Sequence, residues 1–251
     1  MNLRTQLRSS WGLIALNGII PVKRMPLYLF NTLAAPFSFL FFIYILSHGA
    51  GAAIGFGVAG GLVLTTFSIG TSLQADMTHF RVDLKLQDMV VASPMRASTY
   101  VLGMALSELA FAMPGIVVFI LVGYTTRTPG LLGLPIIVAT LLLIWALGSS
   151  LGFFLATYLR DIRETFAIAP LLSLVLSVLP PVYYPITSIA PQYQWLGYLA
   201  PTADASQLIQ GALGIGPPLS ELDWLRAAGI LIAFTAAFML LAMFKAQWRE
   251  K

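Results

Sequence analysis

Residues 99–123 read TYVLGMALSELAFAMPGIVVFILVG. The run is long enough for a helix to cross the ~30 Å hydrocarbon core of a bilayer, which takes roughly 20 residues. Its one charged residue is Glu108. It lacks the apolar–polar alternation of a half-buried strand. A chain in hydrocarbon must also satisfy its backbone hydrogen bonds internally, and a helix does so. Five more runs carry the same signature, at residues 27–47, 52–75, 131–158, 167–184 and 224–244. The run at 167–184 is the short one, and it runs into Pro180 and Pro181 before reaching Tyr184. These runs predict an all-α integral membrane protein with six transmembrane helices, built as a single membrane domain over residues 1–251.

The composition agrees. Of the 251 residues 58% are hydrophobic and 10% charged, and the mean hydropathy is +0.86. Soluble chains carry about a quarter charged residues, so an ordinary soluble domain is excluded. The chain has no cysteine and two histidines. That removes disulfides, thiolate metal sites, iron–sulfur clusters and cysteine nucleophiles, and no metal ligand set is expected. The net charge is +4, and its distribution reports topology. Arg4, Arg8, Lys23 and Arg24 precede the first run. Arg81, Lys85 and Arg96 fall between the second and third. Arg160 and Arg163 fall between the fourth and fifth, and Lys245, Arg249 and Lys251 follow the sixth. The opposite face receives Arg127 and Arg226 alone. The positive-inside rule then predicts cytoplasmic N and C termini in a cell (plasma) membrane, and an even number of spans. The same surplus suits anionic headgroups rather than nucleic acid.

The first 24 residues place Leu3, Leu7, Trp11 and Ile14 on one helical face. This predicts an uncleaved amphipathic helix lying in the cytoplasmic interface. Pro21-Val22-Lys23-Arg24 stands where a cleaved leader would have small residues.

Two connections are informative. Between runs two and three, residues 76–98 form a charged cytoplasmic loop in which Val82, Leu86, Met89 and Val90 recur at helical spacing among Asp83, Lys85, Gln87 and Asp88. A short amphipathic helix over 82–91, stopped by Ser93-Pro94, is expected to dock a soluble partner. Between runs five and six, residues 185–223 carry Tyr193, Trp195, Tyr198 and several prolines. Short helices over 192–199 and 202–213, lying on or dipping into the outer leaflet, are expected. Thr202 is the expected N-cap of the second, with Asp204 in its first turn.

These features together resemble the permease subunit of an ABC-2 type transporter, within the ATP-binding-cassette exporters. Two patches carry the resemblance. One is the cytoplasmic KLQDMVVASP at 85–94; the other is Pro185-Ile186 followed by YQWLGYLAPT at 193–202. Many members have Gly-Thr where this chain has Lys85-Leu86. The resemblance implies a separate ABC ATPase subunit that holds ATP and Mg, and a second permease copy as homodimer or related heterodimer. It makes 82–91 the coupling helix, with Arg81, Asp83, Lys85, Gln87 and Asp88 as polar contacts and Val82, Leu86, Met89 and Val90 as apolar ones. It also makes Tyr193, Trp195, Tyr198, Pro201 and Asp204 part of an outer re-entrant segment, and it implies export. The apolar spans favour a hydrophobic or amphipathic cargo such as a lipid, a drug or a lipid-linked glycan.

The chain contains no Gly-x-x-x-x-Gly-Lys-[Ser/Thr] phosphate loop. It is therefore read as a transport subunit, not an enzyme, with no cofactor of its own. Glu108 is deep in its run, and an intramembrane acid is either a transport-pathway residue or a helix cross-link. Arg226 is expected to snorkel to headgroups. Gly57/Gly61 and Gly148/Gly152 have the spacing of close helix contacts, within the subunit or across a dimer seam. Pro36, Pro114 and Pro170 are expected to bend their helices. Two alternatives stay open: an ATP-independent secondary transporter or channel, and an intramembrane enzyme. Neither an inverted three-plus-three repeat nor a catalytic motif is evident.

Overall fold

The computed structural model describes residues 3–24, 26–85, 92, 95–126, 132–159 and 161–245. Helices account for the regular structure, and no strand occurs among the described residues. The N-terminal segment is α1 (Leu3–Leu13), a π-helical stretch Ile14–Ile19 and α2 (Ile20–Arg24). The long elements are α3 (Pro26–Leu46), α4 (Gly51–Val82), α5 (Ala97–Thr126) and α6 (Gly133–Ala156). Then come α7 (Ile162–Ser173) with a π-helical continuation Leu174–Val178, the short α8 (Gln194–Gly197), α9 (Pro201–Ala212) and α10 (Glu221–Lys245).

Four of these are long and apolar enough to cross a membrane: Gly51–Val82, Ala97–Thr125, Gly133–Ala156 and Glu221–Phe244. In α3 the apolar stretch is Leu33–Leu46. The run expected at 167–184 is displaced toward its N-terminus. Asp161 caps α7, its Oδ1 accepting from the Arg163 N–H at 3.1 Å, and the helix gives out at Val178 because Pro180 and Pro181 can neither donate nor continue it. The second run extends in the other direction. α4 passes the expected boundary at Ala75 and runs to Val82, since nothing between them breaks a helix.

α4 is the axis of the bundle. Val58, Ala59, Val63, Phe67 and Leu73 on it are fully buried. Glycines set how closely its neighbours approach. A Cβ on Gly70 would stand 2.9 Å from the Ser149 backbone nitrogen, and one on Gly148 would stand 2.9 Å from the Phe67 carbonyl. Backbone therefore meets backbone along α4 and α6, the packing that small residues permit where no hydrophobic force separates helix from lipid. Gly57 faces Leu40 of α3, and Gly61 faces Phe119 of α5. Both glycine pairs thus pack within the chain. Phe37 of α3 stacks on Phe119 at 4.6 Å between centroids.

The N-terminal segment differs from a helix lying free in the interface. It runs lengthwise along α5. The Ser10 hydroxyl donates to the Thr99 carbonyl at 3.5 Å, Leu13 meets Gly103, Asn17 Nδ2 donates to Met104 Sδ at 3.4 Å, and Gly18 lies against Ser107 and Ala110. Leu7 and Trp11 stay exposed on the other side. The small residues of α5 explain the docking, since a Cβ on Gly18 would sit 2.6 Å from the Ser107 carbonyl.

The segment before α10 forms short helices, as expected, but starts α9 differently. The N-cap is Ala200, with Pro201 in the first turn. Pro fits there because its missing N–H is one that no helical carbonyl would have bonded. Thr202 does not cap α9; its hydroxyl donates to the Leu176 carbonyl instead. That carbonyl would be bonded by residue 180 in an α-helix or 181 in a π-helix, and both are prolines. Ser206 likewise donates to the Val182 carbonyl at 2.5 Å. The disrupted end of α7 and the buried helix α9 hold each other.

Candidate functional site

The end of α4 comes first. Asp83 and Leu84 N–H groups both reach back to the His79 carbonyl, at 3.0 and 3.2 Å, and His79 Nδ1 lies 2.6 Å from Asp83 Oδ2. The chain then turns at Lys85, whose φ of 51° is left-handed. Val82, Asp83, Leu84 and Lys85 are exposed. Arg81 is turned inward, where its guanidinium donates to the Leu159 carbonyl beyond α6. Of the expected coupling residues, Arg81 and Val82 thus belong to the last turn of α4, and Asp83 and Lys85 to the turn after it. Leu86, Gln87, Asp88, Met89 and Val90 lie outside the described residues. The family-like position filled by Lys85 is the left-handed one, which glycine occupies without steric cost.

Glu108 is buried between α4 and α5. The Ser72 hydroxyl lies 2.7 Å from Glu108 Oε2 and 2.6 Å from the Ile69 carbonyl. Asp76, one turn beyond Ser72, brings a second carboxyl against it. Intramembrane acids facing the bundle interior are usual; the partner acid was not legible, because it lies on a different helix.

At the opposite end of α4, where Gly55 meets Ile215, the segment joining α7 to α10 forms a polar pocket. Its cavity of about 240 Å³ is lined by Gln194, Tyr198, Gln207, Gln210, Asp223 and neighbouring prolines. A small cavity of about 10 Å³, lined by Tyr198, Ala203, Asp204, Gln207 and Gln210 among others, shares several of these walls. Arg226 lies 3.8 Å from the Tyr198 ring centroid, pairs with Asp223 at 3.2 Å and donates to Gln207 Oε1 at 3.1 Å. Its guanidinium is therefore held by the protein groups Tyr198, Asp223 and Gln207. Ser220 and Asp223 cap α10 reciprocally, with Asp223 N–H donating to the Ser220 hydroxyl at 3.2 Å and Ser220 N–H donating to Asp223 Oδ2 at 3.3 Å.

Asp204 is 1% exposed, and neither carboxylate oxygen has a hydrogen-bond partner. Burial pushes this carboxyl up to about 7, against the pull of the Arg226 charge. Of the other residues expected in this segment, Pro201 is buried, whereas Tyr193 and Trp195 are exposed, as aromatic anchors at a membrane surface are. Gln194, Gln207, Gln210 and Asp223 were missed. The first-turn acid and two glutamines follow one another at three-residue spacing on α9, a polar stripe that sequence periodicity could have found. No metal-binding group of acids and histidines occurs among the described residues.

A helical bundle with four helices long and apolar enough to cross a membrane, a buried Glu108 beside the half-buried Asp76 and a polar end-pocket fits a multi-pass membrane protein. The model of the ABC-2 type transporter family matches residues 11–213, and the chain belongs to that family. It is thus the membrane domain of an ABC-type permease, in a family of transport subunits. No curated protein matches the chain.

Proposed function

We propose that this chain is the membrane-spanning subunit of an ATP-driven exporter, with ATP and Mg held by a separate ABC ATPase. The observation that carries this reading is the continuity of α4. One unbroken helix runs from the polar pocket to the exposed turn at Val82–Lys85, a length of about 48 Å at 1.5 Å per residue for its 32 residues. A displacement of the turn by a partner would move the whole axis. Arg81 would carry the same displacement to the connection between α6 and α7 through the Leu159 carbonyl.

On this proposal α3 and the α7 segment complete six spans, both termini are cytoplasmic, and residues 82–91 form the surface that docks the ATPase. Two permease copies pair in the plasma membrane. Their relative motion exposes a path for a hydrophobic or amphipathic cargo, a lipid, a drug or a lipid-linked glycan. Glu108 with Asp76 and Ser72 would act where α4 moves against α5.

The test is co-purification with a candidate ABC ATPase, chosen from the reading frames that neighbour the gene of this chain. The full chain should retain that ATPase and stimulate its hydrolysis after reconstitution, and deletion of 83–91 should abolish both. Transport by the purified chain in vesicles without any ATPase would overturn the proposal.

A further inference from the structure

The segment 185–223 holds a group for which packing gives no use. Asp204 is a carboxylate almost completely removed from solvent, with both oxygens unpartnered. Such a group costs stability unless something donates to it. It borders a cavity of about 10 Å³, the space of roughly one water-sized group. Gln210, on the same wall, uses its Nε2 to donate to the Ser206 hydroxyl at 2.9 Å. Its Oε1 is left as an acceptor. The nearby cation Arg226 is paired with Asp223 at 3.2 Å and makes no hydrogen bond to either Asp204 oxygen. Beyond lies the larger pocket of about 240 Å³, with Tyr198, Gln207 and Gln210 on the walls of both.

We propose that this pocket binds a primary ammonium group, seated against Asp204 and the Gln210 Oε1 in the small cavity, with the remainder of its carrier in the larger one. The small cavity selects the chemistry. A –NH₃⁺ group is about the size of a water and offers three donors to a wall of acceptors. A trimethylammonium group has no donor and is too large. An anion would meet the Asp204 charge. The carrier is an aminophospholipid headgroup or a free amine, which share this end.

The site goes beyond the transport reading and needs no ATPase, so either can fail without the other. The test uses the purified full chain in detergent and native mass spectrometry of bound lipid. Phosphatidylethanolamine, its N-methyl and N,N-dimethyl derivatives and phosphatidylcholine are offered with identical acyl chains. Retention should fall with each methyl, by about tenfold or more overall, the factor expected when one charge-assisted contact is lost. Asp204→Asn should erase the discrimination, with folding followed by thermal melting; should that variant not fold, the methylation series decides by itself. Glycerophosphoethanolamine separates the sources. Its binding assigns the headgroup as sufficient, and failure to bind while the lipid is retained assigns the lipid, both in support of the site. Equal retention of phosphatidylcholine, or wild-type discrimination in a folded Asp204→Asn variant, would overturn it.

Discussion

Gly148→Ala tests the packing that holds the bundle together. The added methyl would lie 2.9 Å from the Phe67 carbonyl, 3.3 Å from the Gly70 Cα and 3.4 Å from the Thr71 nitrogen. All three are backbone atoms of α4, so no side chain can rotate away. An ordinary methyl contact begins near 3.4 Å, so the axes must part locally by about half an ångström. Overpacking of this kind costs about 1–3 kcal/mol, and rigid backbone as the obstacle puts the value near the upper end. Replacing a helical glycine by alanine returns about 0.5–1 kcal/mol. The net loss is about 2 kcal/mol, or about 4–8 °C in melting temperature for a chain of this size. Gly229→Ala is the control, because nothing stands within 4 Å of its added methyl; it should leave the melting temperature unchanged or raise it. The assay is fluorescence-detected thermal melting of the detergent-solubilised chain. A Gly148→Ala protein at least as stable as the Gly229→Ala control would refute the backbone-to-backbone contact of α4 and α6.

Other outcomes follow from the same geometry. Lys85→Gly should raise stability by about 0.5–1 kcal/mol, since a side chain in the left-handed region costs more than glycine's extra unfolded freedom; an unchanged or lower melting temperature would contradict the φ of 51°. Arg81→Ala removes a charged donor from the Leu159 carbonyl and should cost about 1–2 kcal/mol, with faster hydrogen exchange at 157–161 as the local readout. Asp204 titrates in the folded protein near pH 7, against about 3.9 when unfolded. The folded state thus binds the extra proton between these values, so this group's contribution to stability declines as pH rises from about 4 to 7 and is flat above. Asp204→Asn should flatten melting temperature across that window and exceed the wild type at about pH 8; a wild-type profile in the variant would remove Asp204 as the cause. Glu108→Gln should keep a partner for the Ser72 hydroxyl and melt close to wild type, whereas Glu108→Ala should melt lower; equal values would dismiss the cross-link.

The sequence by itself determined the class. Apolar runs such as 99–123 and 131–158 can be satisfied in one way in lipid, so the helices α5 and α6 form within a few residues of where the composition put them. The 167–184 run was expected to reach Tyr184, and the two prolines visible inside it stop the helix at Val178 instead; its start at Ile162 was not legible, because Asp161 could cap α7 only once the chain had left α6. Periodicity also located α9 and put Asp204 in its first turn. Pairing across helices was decided by tertiary structure alone. Nothing near Glu108 in the chain announces Asp76, and nothing near Arg226 announces Tyr198 or Gln207. The spacing of Gly148 and Gly152 marked a close contact without naming α4 as its partner. Thr202 shows the reason most directly. Its local chemistry favoured capping its own helix, but the Leu176 carbonyl, left without a donor by two prolines more than a dozen residues away, was the stronger claim. Local sequence sets which groups a residue can bond, and only the folded bundle decides which of those groups is left in need.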